Sequence, residues 1–166
     1  MIAAAAQELD STMLRQAFGC FPTGVTAFCG LADDRPGGFA ASSFTSVSIE
    51  PALVSICVAN TSETWPKLAR MKRLGISVLA SAQGGVAKSL ASKGEDRFAD
   101  VPWTALESGA VFVEGASLWL ECEPFLRLPA GDHEIVLLRI LALEMDPEVT
   151  PMVFHRSRFH ELATPA

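Results

Sequence analysis

Gly37-Gly38-Phe39-Ala40-Ala41-Ser42-Ser43-Phe44-Thr45-Ser46-Val47-Ser48 is the stretch whose reading decides the fold and points toward a site. Its β-branched and aromatic members read as a strand closed by Pro51. The hydroxyls of Ser42, Ser43, Thr45, Ser46 and Ser48 do not suit a purely structural core strand, because a buried hydroxyl without a partner costs roughly 1–3 kcal/mol. Two readings stand side by side. The strand lines a polar ligand, with Ala40 and Ala41 letting that ligand approach the backbone, or it is an edge strand kept wet on one face.

Upstream, Asp10 or Ser11 caps a short helix in which Leu14, Ala17 and Phe18 fall at i, i+3, i+4 and which ends near Cys20. Phe21-Pro22-Thr23-Gly24-Val25 is a tight turn that feeds residues 25–31 as an apolar strand, and residues 33–38 have the composition of a hairpin loop. Downstream, residues 53–59 form a strand apolar on both faces and therefore central. That strand runs into Asn60-Thr61-Ser62-Glu63-Thr64-Trp65-Pro66, where Ser62 or Thr64 is a natural N-cap and Pro66 suits a first helical turn. A helix start with free N–H groups and three nearby hydroxyls is either an anion site or ordinary capping.

Residues 75–80 read as a further strand, 86–91 as a helix with Lys88 and Lys93 on or near it, and 93–102 as a polar loop. In that loop Asp96-Arg97-Phe98 pairs a guanidinium with a ring, which suits a nucleotide or a loop anchored by one buried Phe. From 117 to 128 the pattern alternates, with Leu118, Leu120, Cys122, Leu126 and Leu128 on one face and Glu121, Glu123 and Arg127 on the other. Gly131-Asp132-His133 breaks to residues 134–145, apolar on both faces and so covered on each side by another layer or another chain. Residues 151–154 and 158–162 give two last strands. Seven or eight strands at short spacing with two or three short helices favour a closed or nearly closed barrel.

Length and composition bound the function. At 166 residues, 49% hydrophobic and 19% charged, the chain suits one well-cored domain over residues 11–162 after a flexible N-terminus at 1–10. A net charge of −6 with thirteen scattered Lys and Arg speaks against nucleic acid. The Ala-rich start lacks a basic flank and is interrupted by Gln7, Glu8 and Asp10, so neither a leader nor a membrane span is expected, and the location expected is the cytoplasm. Cys20, Cys29, Cys57 and Cys122 are widely spaced in apolar surroundings and read as buried free thiols. His133, His155 and His160 form no metal-ligand grouping, so no metal is expected. The glycine fingerprints of dinucleotide-binding and phosphate-binding α/β folds are absent, so any nucleotide binds on a barrel surface.

The order of these signals resembles the flavin reductase-like family. The motifs that carry the resemblance are Phe21-Pro22-Thr23-Gly24-Val25, Ala41-Ser42-Ser43-Phe44-Thr45-Ser46-Val47-Ser48, Pro51-Ala52-Leu53-Val54, Ser62 with Thr64, Asp96-Arg97-Phe98, Gly131-Asp132-His133 and the final Phe154-His155-Arg156. They extend from about Leu14 to Leu162. The resemblance implies a mainly β fold with short helices, a homodimeric split β-barrel of Greek-key type that binds FMN or FAD. It also implies an enzyme that uses NADH or NADPH to reduce flavin for a partner monooxygenase, the reduced flavin passing by diffusion.

By that resemblance Thr23, Ala41, Ser42 and Ser43 contact the isoalloxazine ring, while Ser46, Asn60, Ser62 and Thr64 hold the ribityl chain and phosphate. Phe98 belongs to the cofactor-binding set, and His133 stands near flavin and nicotinamide as the catalytic histidine, orienting the nicotinamide rather than serving as an obligatory acid. The chain departs from the family pattern at Ala52, Leu138, Phe154 and Ser157, where Pro, Gly, Tyr and Gly are usual. The lost Tyr hydroxyl leaves the choice of reduced pyridine nucleotide open. Alternative readings are a flavin-binding barrel without reductase activity, an oxidase of pyridoxamine phosphate, for which an Arg and Lys cluster is lacking, and a monooxygenase acting alone.

Overall fold

The structure is a computed structural model that describes residues 9–94 and 96–163, so most of the N-terminal segment expected to be flexible lies outside the described residues. In chain order the elements are α1 (Ser11–Phe18), β1 (Thr23–Gly24), β2 (Thr26–Ala32), β3 (Arg35–Ala41), β4 (Thr45–Ser48), β5 (Leu53–Ala59), α2 (Trp65–Leu68) and β6 (Leu74–Val78). A 3₁₀ turn (Ser81–Gln83) leads into α3 (Gly84–Ala91), followed by β7 (Trp103–Ala105), β8 (Val111–Val113), β9 (Leu118–Ala130), β10 (His133–Met145), β11 (Met152–His155) and β12 (Arg158–Glu161). No helix among the described residues is long and apolar enough to cross a membrane.

Seven strands form one antiparallel sheet in the order β3-β2-β6-β9-β10-β5-β4, with small sheets β1-β11-β12 and β7-β8 beside it. The stretch 37–48 is therefore two strands and not one. β3 ends at Ala41 on one edge of the large sheet, the chain bends through Ser42 to Phe44, and β4 forms the opposite edge. A single bend joining both edges means that the sheet has curled round on itself, and no ladder between β3 and β4 closes it. The architecture is a split barrel.

The bend is held by one side chain. Ser43 Oγ accepts a hydrogen bond from Cys57 N at 3.0 Å and donates to Cys57 O at 3.1 Å, clamping the bend onto β5. Ser46 lies exposed on β4, which is the wet edge strand of the second reading. The hairpin loop expected over 33–38 is shorter than its composition suggests. Asp33 and Asp34 alone make the turn, both with positive φ (50° and 60°), and β3 begins at Arg35. Two such residues match the right-handed twist of the flanking strands, and Asp tolerates this conformation better than most. Gly38 sits inside β3 because a Cβ there would lie 2.6 Å from Phe28 O and 3.1 Å from the Phe98 ring.

The core has two parts separated by β2. Phe28 points into the barrel with Ile56, Leu68, Leu74, Ile76, Val136 and Leu138, whereas Ala27 and Cys29 point outward against Leu79, Leu90, Phe98, Val111, Val113 and Met152. Strand alternation puts neighbours on opposite faces, so β2 is buried on both because a second layer covers its outer face. That layer includes the β7-β8 hairpin, whose strands of three residues each are too short to show a period. With β1 and the division of 37–48 it brings the described strands to twelve, against the seven or eight expected.

β10 departs from expectation in its second half. Val136 and Leu138 are fully buried, but Leu141, Leu143 and Met145 are 42%, 59% and 69% exposed in the single chain. Register shifts between Leu137 and Leu138 and between Ile140 and Ala142 carry the outer half of the strand away from the barrel. At the C-terminal hairpin Arg156 and Ser157 both have positive φ (48° and 61°), which gives a physical reason for the glycine usual in the family at Ser157.

Candidate functional site

A cavity of about 540 Å³ opens along the split, between the ends of β3 and β5. Phe39, Ala41, Ser42 and Ser43 form one wall, Cys57, Val58 and Ala59 the second, and the turn from Thr61 to Thr64 the floor. Lys93, Arg97 and His133 close it. Six residues expected at the site meet here: Ala41, Ser42, Ser43, Ser62, Thr64 and His133. They come from three separate segments of the chain.

One end of the cavity is prepared for an anion. Ser62 Oγ accepts from Trp65 N at 3.1 Å and so caps α2, while Thr64 Oγ1 accepts from Arg97 Nη1 at 3.1 Å. A hydroxyl has one proton and two lone pairs, so each of these spends acceptor capacity on the protein and keeps its proton to donate. Arg97 also donates from Nη1 to Gly38 O at 3.3 Å, which ties its guanidinium to the β3 wall. Capping and anion binding are thus compatible functions of the same hydroxyls. The field comes from Arg97 and Lys93 more than from a helix dipole, since α2 has only four residues.

At another wall stands His133, the first residue of β10. Asn60 N donates to Asp132 O at 2.9 Å and Asn60 Nδ2 donates to Gly131 O at 3.2 Å, so the end of β5 holds the Gly131-Asp132-His133 turn in place. Asp132 Oδ1 lies 2.7 Å from His133 Nδ1, and the hydrogen bond to the imidazole holds the Asp132 carboxyl below its ordinary range. An ionised carboxylate only accepts, so the proton of the contact sits on Nδ1 and Nε2 is left for a ligand.

Four expected residues are not part of this cavity. Phe98 is buried in the outer core, where it packs beneath Gly38. Residues 97–100 form a turn in which Phe98 is buried while Arg97 lines the cavity, and Arg97 was not among the expected site residues. Lys93 was also passed over; its only signal was its position just past a helix end. Thr23 pairs with Phe154 in the small sheet, and its buried Oγ1 has no protein partner. Ser46 faces solvent, and Asn60 supports the His133 turn from outside.

The cysteines divide evenly, correcting the expectation of four buried thiols. Cys29 and Cys122 are buried, and burial raises both thiols, Cys122 to about 12, whereas Cys20 and Cys57 are exposed. A thiol-reactive dye at neutral pH should therefore label two residues in the folded protein and four in denaturant. Saturating flavin should protect Cys57 but not Cys20, read by mass spectrometry. Equal labelling of Cys57 with and without flavin would remove the ligand from this cavity.

Fold and cavity together define a split-barrel protein with a polar surface cleft that carries Arg97 and Lys93 at one end. Comparison with known proteins agrees. The sequence profile of the flavin reductase like domain matches residues 18–163. A flavin reductase of Pseudomonas putida is 34% identical over 91% of this chain and 89% of its own length. HsaB of Mycobacterium tuberculosis, the reductase subunit of a flavin-dependent monooxygenase, is 32% identical over 96% of this chain and 88% of its own. The NADH:FAD oxidoreductase SgcE6 of Streptomyces globisporus, solved with NAD and FAD fragments, superposes with a TM-score of 0.91 at 36% identity over 99% of both chains. Some other relatives are longer, and this chain spans 41% of one of them. The chain belongs to the flavin reductase family.

Proposed function

We propose that the protein is an NAD(P)H-dependent flavin reductase that supplies reduced FMN or FAD to a partner monooxygenase. The observation that carries this reading is the pairing, in one cleft, of an anion-ready end at Thr64, Arg97 and Lys93 with the fixed imidazole of His133. A flavin held there by these residues would supply the hydride-accepting chemistry, with the reduced nicotinamide as the donor. Everything else asked of the chain is position. Ser62, Thr64 and Arg97 hold the phosphate, the small Ala41 leaves room for the ring against β3, and His133 Nε2 orients the nicotinamide.

The cleft lies open on the surface of the barrel, which suits a flavin that comes and goes as substrate. The protein is proposed to work in the cytoplasm and as a homodimer. Support for the dimer comes from Phe125, Leu126 and Leu128 toward the turn end of the β9–β10 ribbon and Leu141, Leu143 and Met145 toward its other end, all 42–69% exposed in the single chain. NADH oxidation followed at 340 nm with free FMN or FAD in air tests the activity. Purified protein that binds flavin without consuming NADH or NADPH would leave only a flavin-binding barrel, and light scattering that shows a monomer at micromolar concentration would remove the dimer.

A further inference from the structure

A second cavity, of about 440 Å³, lies across the Asn60–Ser62 turn from the first and shares Ala59 and Ser62 with it. Trp65, Pro66 and Ala69 form its floor, and Arg70, Arg127 and Glu134 its sides. The Arg127 guanidinium is fixed by two hydrogen bonds to Glu134, 2.8 Å from Nε and 2.7 Å from Nη2, and its Cζ lies 5.9 Å from the Trp65 ring centroid. Glu134 also accepts from Trp65 Nε1 at 3.2 Å, and hydrogen bonding to Arg127 holds its carboxyl below the ordinary glutamate range. Glu134 is thereby neutralised inside its own ion pair. Arg70, exposed and without an ion-pair partner among the described residues, leaves the cavity with one uncompensated positive charge in a chain of net charge −6.

Those features fit a particular chemistry. A guanidinium held in a fixed plane offers a face on which a purine stacks, and a free guanidinium beside it suits a phosphate. The first cavity presents its phosphate donors at Ser62 and Thr64, and Ser62 is also the rim of the second. We propose that the second cavity receives the adenosine 5′-phosphate half of a dinucleotide, with FAD the occupant that the geometry favours, since its adenylate begins at the phosphate held in the first cavity. This rests on the flavin reductase reading and adds to it the residues that would separate FAD from FMN. NADH carries the same adenylate, and the experiment distinguishes the two sources.

The test is a fluorescence titration of the wild type and of Arg70→Ala with FMN and with FAD, joined to the Michaelis constant for NADH with FMN as acceptor. The expected result is that the wild type binds FAD at least about tenfold more tightly than FMN, and that Arg70→Ala removes about tenfold from FAD while leaving FMN unchanged. Added AMP should compete with FAD and not with FMN. An unchanged ratio of FAD to FMN affinity, with a Michaelis constant for NADH raised about tenfold, would assign the adenylate site to the nicotinamide dinucleotide. Arg70→Ala without effect on FAD, FMN or NADH would overturn the proposal. A wild type that binds neither flavin would instead overturn the reductase reading beneath it.

Discussion

Gly75→Ala should lower the unfolding free energy by about 3 kcal/mol, the upper part of the range for overpacking, and the melting temperature by roughly 6–12 °C. Gly75 lies in the middle of the large sheet, on β6 between Cys29 of β2 and Glu121 of β9. Its missing side chain is what lets β8 cross the sheet. A Cβ at this position would meet the Val111 carbonyl oxygen, with the carbonyl carbon at 2.7 Å and the amide nitrogen at 3.0 Å. Backbone on both sides cannot swing away as a side-chain tip does, so either β8 lifts and exposes Val111 and Val113, both fully buried, or β6 distorts. Gly85→Ala is the contrasting substitution. It lies in α3 with nothing within 4 Å of the added methyl, and should stabilise by about 0.5–1 kcal/mol. Urea unfolding of both variants decides the matter, and an unchanged midpoint for Gly75→Ala would mean that β8 does not press on β6.

Arg97→Ala should weaken flavin binding roughly ten- to hundredfold, the loss of one charge-assisted hydrogen bond of about 1.5–3 kcal/mol, with turnover at saturating flavin little changed. The guanidinium is held by Thr64 Oγ1 on the cavity wall and by Gly38 O of β3, and so requires no reorganisation when an anion arrives. Ser62→Ala with Thr64→Ala should act in the same direction, but also removes the cap on Trp65 N and with it about 1 kcal/mol of stability. Arg97→Ala is the cleaner probe. His133→Ala should do the converse, leaving flavin affinity near wild type while slowing reduction or raising the Michaelis constant for NADH, if its free Nε2 has the proposed place at the nicotinamide. Steady-state rates at varied flavin and varied NADH separate the two effects. If Arg97→Ala binds flavin at wild-type strength and His133→Ala is unimpaired at low NADH, neither residue has the role given to it.

The sequence by itself determined most of the longer elements and their order, because these are local, but not β1, the β7-β8 hairpin or the division of 37–48. The Asp10 cap, the alternation over Leu118, Leu120 and Cys122 and the bounds of β5 follow from side-chain period and capping chemistry within a few residues, whereas a register shift after Pro124 ends that alternation and leaves Leu126 and Leu128 exposed on the other face. Motif order also carried the family, and with it the expected cleft. Ala41, Ser42, Ser43, Ser62, Thr64 and His133 were legible as residues of one candidate cavity for that reason.

Only the tertiary structure decided that 37–48 joins the two edges of one sheet. A strand that continues and a strand that bends to the far edge have the same alternation, and the difference lies in Ser43 reaching Cys57, fourteen residues away. It also decided which member of each polar group faces the cavity. Arg97 and Phe98 are adjacent in sequence, and Phe98 is buried under Gly38 while Arg97 lines the cavity; Cys57 stands between Ile56 and Val58 yet is exposed, whereas Cys122 stands between Glu121 and Glu123 yet is buried. Pattern along a chain records what a residue is and how often its kind recurs. Which surface it meets depends on contacts between residues far apart in sequence, and the cavities on the two sides of Ser62 consist of such contacts.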